Sequence, residues 1–292
     1  MSSTDDLNAT GEAAGAPLLS PTFHMALVYA AEAHGQHRRK GTEQRRPGHG
    51  DAPAGVPYVA HLMEVSALVL DAGGSERDAI AGLLHDVVED QGGLARAAEV
   101  RSCFGDEVAD MVLQCSDSTD TASKASDYWF DRKRAHIRHI SPSGDGLPEG
   151  TLLVLAADKI SNARAIIADI VTSPDPAGRA DVFRRFRPFA DAVGDGKGAQ
   201  TPPRATDPFF DLTGGVVPAS DSDAVRYSAS CTLWYYRSVF GALRAEAARS
   251  GAAALLRLTQ VLDTELCELE LLLEPLGVPV GDVAAQVAVE AS

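Results

Sequence analysis

Residues 75–91 read SERDAIAGLLHDVVEDQ, and their spacing decides the fold. Ile80, Leu83, Leu84, Val87 and Val88 fall at i, i+3, i+4, i+7 and i+8, the apolar stripe of an amphipathic helix. Ser75 and Asp78 open it as a capping box, the hydroxyl serving the third helical amide and the carboxylate the capping one. On such a helix His85 stacks over Glu89 and Asp86 over Asp90, because residues four apart share a face. Three carboxylates and an imidazole thus crowd one turn of an otherwise apolar helix. Charges that close repel unless a proton or a cation sits among them, and a divalent metal is the economical explanation.

The same period recurs outward from this stretch. Leu153, Ala156, Ile160, Ala163, Ile167 and Ile170 mark a second helix, and Leu255, Leu258, Leu262, Leu266, Leu269 and Leu273 a third. Strand-type alternation is nowhere sustained, so the chain is expected to be all-α. Order should begin at Ser20-Pro21, an N-cap followed by proline at the first helical position. Residues 1–19 read as a disordered tail and 20–190 as the core. Residues 191–221, rich in Gly, Pro, Asp and Thr, read as a flexible loop, and 222–292 as C-terminal helices packing on the core. A second Gly/Pro-rich loop spans 41–57. The leucine stripe near the C-terminus suits either that core or a homodimer seam.

With 41 Asp+Glu against 26 Lys+Arg, the 292-residue chain carries a formal net charge of -15. A polyanion such as duplex DNA is repelled by that field, which argues against nucleic-acid binding but not against a small anionic ligand. Four cysteines, at 103, 115, 231 and 267, show no metal-ligand or redox spacing. The first twenty residues lack the basic and apolar regions of a secretory signal, and no apolar run reaches a membrane span. A cytoplasmic protein with no membrane segment is the expectation.

His61, in PYVAH at 57–61, and Asp158, which interrupts the apolar run LLVLAAD at 152–158, would complete a metal site with His85 and Asp86. An unpaired carboxylate in such a run costs roughly 1–3 kcal/mol. Two imidazoles and two carboxylates suit Mn²⁺, Fe²⁺ or Zn²⁺ better than Ca²⁺, which prefers oxygen alone. Glu89 and Asp90 remain to orient or deprotonate a water. The run HGQHRRK at 34–40, with Arg45 and Arg46, places five of the 26 basic residues between 38 and 46. These either neutralise a helix C-terminus or hold the phosphates of a bound ligand.

Four motifs in order, HGQHRRK at 34–40, PYVAH at 57–61, LHDVVED at 84–90 and LAADKISN at 155–162, resemble the hydrolase domain of the RelA/SpoT-homologue family, in particular its stand-alone small alarmone hydrolases. The resemblance covers about residues 20–170. It implies an all-α HD-domain bundle, Mn²⁺ as cofactor, and His61, His85, Asp86 and Asp158 as ligands. It places Glu89 and Asp90 at the catalytic carboxylate positions, the two acting together. Arg39, Lys40, Tyr58 and Asn162 fall beside the nucleotide, with Arg38 in the same charge-neutralising cluster. The implied reaction removes the 3′-pyrophosphate from guanosine tetra- or pentaphosphate, giving GDP or GTP and pyrophosphate. No synthetase domain is expected in this chain.

Several departures bear on substrate choice. The loop after Lys40 is longer than in compact relatives, so it could close as a lid. Ser161 and Ala165 replace bulkier or more polar residues, which implies an altered nucleotide wall. Arg132 and Lys133 read as a solvated helix face, with pyrophosphate contact as the alternative. Competing functions are an HD phosphohydrolase of another nucleotide (an adenine alarmone, or an NADPH phosphatase) and a catalytically silent alarmone-binding module. The intact Glu89-Asp90 pair weighs against the last.

Overall fold

In the computed structural model of the protein, the described residues are 18–40, 42, 46–48, 54–116, 129–140, 146–173, 182–183, 207–209 and 221–290. They form helices α1 (Pro21–Ala33), α2 (Val59–Ala72), α3 (Glu76–Leu84), α4 (Val87–Gln91), α5 (Gly93–Phe104), α6 (Asp106–Cys115), α7 (Trp129–Ile140), α8 (Glu149–Thr172), α9 (Asp221–Ser250), α10 (Ala253–Leu273) and α11 (Val280–Glu290), with a single 3-10 turn at Glu274–Leu276. No strand occurs among the described residues, and the fold is all-α. Residues 1–17 of the expected tail, most of 191–221, and Arg45 lie outside the described residues.

The helix starts follow the sequence. Ser20 accepts the amide of Thr22 ahead of Pro21, and the Ser75–Asp78 capping box is complete. The apolar stripes are core: Leu83, Leu84, Val87 and Val88 are buried, as are Leu153, Ala156, Ile160, Ala163 and Ile170 on α8. At about 1.5–3 kcal/mol per fully buried large aliphatic side chain, such stripes fix which helix faces meet. Helix α8 is central, packing against α2, α3, α6 and α10. The leucine stripe of α10 is spent on this packing: Leu255, Leu262, Leu266, Leu269 and Leu273 are fully enclosed within the chain. A dimer seam would need another face.

One element differs from expectation. The helix predicted through 75–91 breaks at His85-Asp86, giving α3 and α4. The His85 ring nitrogen Nδ1 lies 2.9 Å from the Gly82 carbonyl. That carbonyl is the one an uninterrupted helix would offer to the amide of Asp86. Both residues keep right-handed dihedrals, and the Asp90 amide still reaches the Asp86 carbonyl at 3.0 Å, so the chain kinks without turning away. Gly82 has a second duty: a Cβ there would stand 3.2 Å from Ser66 Cα, so its bareness lets α3 lie close on α2.

The segment joining α1 to α2 is tied down at its ends. The Arg39 amide donates to Val56 O (2.9 Å) and the Tyr58 amide to His37 O (3.1 Å), an antiparallel bridge that seats Tyr58 beneath the end of α1. Thr42 Oγ1 donates to Arg39 O and accepts from the Val56 amide. The lid expected over 41–57 falls partly outside the described residues.

Candidate metal and nucleotide site

Two helices, α2 and α8, and the α3–α4 kink bring four expected side chains to one point. His61 stands in the first turn of α2, His85 and Asp86 at the kink, and Asp158 midway along α8. His61 Nε2 lies 3.6 Å from Asp86 Oδ2 and 3.3 Å from Asp158 Oδ1. His85 Nε2 lies 3.2 Å from Asp86 Oδ2 and 3.6 Å from Asp158 Oδ1. Ligands about 2.0–2.2 Å from a transition ion stand roughly 2.8–3.6 Å from their neighbours at tetrahedral or octahedral angles. The spacing fits a divalent metal, and His61, His85 and Asp86 form a group that can hold one.

The donor atoms are prepared for it. Gly82 O can only accept, so His85 Nδ1 carries hydrogen and the buried Nε2, which has no hydrogen-bond partner, is left for a cation. Burial opposes charge on His85, yet the carboxylates of Asp86 and Asp158 lift its pKa well above the ordinary imidazole range. The same attraction, against burial, holds Asp86 below the usual carboxylate range. Asp158 is held down likewise, with Lys159 adding the largest pull. The pocket thus demands positive charge, and a metal ion competes with the proton for the place.

Around these four lies a ring of hydrogen bonds. Tyr58 donates its hydroxyl to Asp86 Oδ2 at 2.6 Å, and burial with the neighbouring Asp86 charge raises the phenol pKa, keeping it a donor. Lys159 Nζ lies 2.6 Å from Asp158 Oδ2. Asn162 donates to Asp158 Oδ1 and accepts from Arg39 Nη2 at 3.0 Å. Ser161 Oγ donates to Glu64 Oε2 (2.7 Å), so at 2.8 Å it accepts from His61 Nδ1 and fixes that ring with Nε2 toward the centre. Ser161 is therefore a brace for His61 rather than the nucleotide wall expected from its departure. Substituting Ser161→Ala should weaken divalent-metal binding about 10–100-fold with the fold retained, the usual cost of losing such an outer partner. Titration with Mn²⁺ checks this, and unchanged affinity would show the serine to be passive.

Two cavities meet at this centre. One, of about 410 Å³, is lined by His37, Arg38, Arg39, Lys40 and Tyr236 among others. The other, of about 170 Å³, is lined by Lys133, His136, Lys159 and Tyr235 among others. Tyr58, Asp86, Glu89 and Asn162 border both, whereas Asp90 borders only the larger. Glu89 is half-buried and Asp90 exposed, so the expected pair is split between two environments.

Arg38 turns its Nη1 to the carbonyls of Gly35 (3.3 Å) and His37 (3.0 Å), in the turn that follows α1. Arg39 and Lys40 are the cations that face the larger cavity beside it. Lys133 is not on a solvated face: it lines the smaller cavity, its Nζ 4.6 Å from the Tyr235 ring centre. Sequence reasoning assigned no role to Lys159, Glu64 or Tyr235. Lys159 stood inside a quoted motif, and Glu64 follows His61 by three residues, one helical turn, which was the available signal.

The family model for the HD domain matches residues 26–194. A probable guanosine-3′,5′-bis(diphosphate) 3′-pyrophosphohydrolase of Synechocystis sp. is 37% identical over 87 residues, 30% of this chain and 10% of that protein. A GTP pyrophosphokinase of Myxococcus xanthus is 29% identical over 143 residues, 48% of this chain and 16% of that protein. The chain thus spans about a tenth to a sixth of the length of these curated relatives. A solved structure described as a metazoan ortholog of SpoT that hydrolyzes ppGpp shares 29% identity, covering 57% of this chain and 83% of that one at a TM-score of 0.43.

Proposed function

The chain belongs to the HD-domain family, and on that premise we propose that it is a Mn²⁺-dependent hydrolase removing the 3′-pyrophosphate from guanosine tetra- or pentaphosphate. One observation carries this reading: the four-ligand centre sits where two cavities with cationic walls meet. A nucleoside bearing diphosphates on both its 3′ and 5′ oxygens has two anionic arms diverging from one ribose. A simple monophosphate would use only one lobe. The name of the Synechocystis relative gives the same substrate class.

His61, His85, Asp86 and Asp158 would hold the metal. When bound, it supplies charge neutralisation for the reacting phosphoryl group and acidifies water near it. Arg39 and Lys40 set the charge of one lobe and Lys133 and Lys159 that of the other, in a protein otherwise strongly acidic. Tyr58 and Asn162 orient Asp86 and Asp158. Glu89, at the junction of the lobes, takes the proton from the attacking water. That water adds to the outgoing phosphoryl phosphorus, the bond from phosphorus to the ribose 3′-oxygen breaks, that oxygen takes up a proton to become the 3′-hydroxyl, and pyrophosphate leaves with GDP or GTP remaining.

The test is turnover of a nucleotide panel by the metal-loaded protein. Pyrophosphate release from guanosine tetraphosphate should exceed that from the adenine counterpart and from NADPH. Preferential hydrolysis of NADPH or of simple monophosphates would refute the reading. So would tight nucleotide binding without turnover, the behaviour of a silent module.

A further inference from the structure

A second donor cluster also packs against the Tyr58 ring. His34 closes α1 and stacks on Tyr58 with ring centres 5.0 Å apart, while Tyr58 meets His61 at 5.5 Å. His37 follows three residues on, past the end of α1, its ring edge-on to His34 at 5.4 Å. Asp90 on α4 joins them, and one donor atom from each of the three lies within 4.8 Å of the others.

What singles this cluster out is His34. It is 2% exposed, and neither of its ring nitrogens has a hydrogen-bond partner. A buried polar atom left in that condition costs free energy that a bound ligand recovers. The neighbours say which ligand. A carboxylate and a second imidazole within 4.8 Å repel an anion and offer lone pairs to a cation. The Gln91 amide nitrogen stands 2.8 Å from His37 Nδ1 and 3.0 Å from Nε2, so an ion would take the ring lone pair to which that amide now donates.

We propose that His34, His37 and Asp90 form a second divalent-metal site, separate from the His61–His85–Asp86–Asp158 centre and suited to an ion of the Zn²⁺ class. Two imidazoles and one carboxylate are a donor set that such ions accept, and three protein ligands leave positions open. Because His37 and Asp90 border the larger cavity, the ion adds positive charge to the lobe already carrying Arg39 and Lys40. It also occupies the Asp90 carboxylate, which leaves proton transfer to Glu89. The two sites share no ligand, and Tyr58 touches a ring of each. The inference stands on the donor set, whatever substrate the cavities take.

Counting bound metal tests it. The full chain, stripped with a chelator and then loaded with Zn²⁺, is measured by calorimetric titration and by elemental analysis after dialysis. Two ions per wild-type chain are expected, one in His37→Ala, one in Asp158→Asn and none in the double variant. His37 is only half-buried, so its loss spares the core, and circular dichroism confirms the helices. One ion in the wild type, lost in Asp158→Asn and kept in His37→Ala, overturns the second site and leaves the first standing. One ion lost in His37→Ala alone overturns the first centre and keeps the second. Two ions retained in His37→Ala also overturn the proposal.

Discussion

Substituting Asp158→Asn is expected to lower divalent-metal affinity at the His61–His85 centre and hydrolysis together, each by roughly 10²- to 10⁴-fold. The side chain keeps its shape but loses the charge that both imidazoles face at 3.3 and 3.6 Å. It also strips Lys159 of the carboxylate 2.6 Å away, on which its raised pKa depends. Removing one partner of a buried charge pair costs about 3–5 kcal/mol, and each 1.36 kcal/mol is tenfold in an equilibrium or a rate. Part of that cost falls on folding, so a lowered melting temperature should accompany the loss. Metal titration and pyrophosphate release measured on one preparation check the claim. Activity retained at full metal affinity would show that Asp158 serves Lys159 alone.

The second large effect concerns Glu89. Glu89→Gln should reduce turnover about 10²- to 10⁴-fold, the range that a positioned proton-transfer group contributes, while metal affinity at the first centre stays put. Glu89 borders both cavities beside Asp86, which is where the proposed reaction brings its water, and amide for carboxylate removes the proton acceptor without removing bulk. Asp90→Asn, on the exposed side of the same helix, should cost less. A loss in Asp90→Asn as large as in Glu89→Gln would reverse the assignment and restore the two as one unit.

Most of the fold was legible because period, caps and breakers agree along the chain. Ser20-Pro21, the Ser75–Asp78 box and the stripes of α3, α8 and α10 all mean in the structure what they mean in the sequence. The break at His85-Asp86 was hidden, since Val87 and Val88 continue the apolar period across it. Its cause is a side chain competing for a backbone carbonyl, which no periodicity reports. The four converging side chains could be named from acid and imidazole groups set in apolar runs, where burial without a partner is costly. Their supports could not. Ser161 and Glu64 meet across two helices, and Lys133 reaches the smaller cavity only because α7 packs against α9. The α10 stripe left core and dimer seam open for a related reason: a leucine stripe says that something covers it, not what.

The adjacent residues Tyr235 and Tyr236 on α9 line different cavities, the first the smaller and the second the larger. Successive residues of a helix point about 100° apart, so this one dipeptide works as a partition between the two chambers. It belongs to a stretch beyond the matched region of 26–194. Small rotations of α9 about its own axis would widen one chamber as they narrow the other. Divergence in that outlying helix therefore offers a way to reshape what the pocket admits while every donor atom at its centre stays in place.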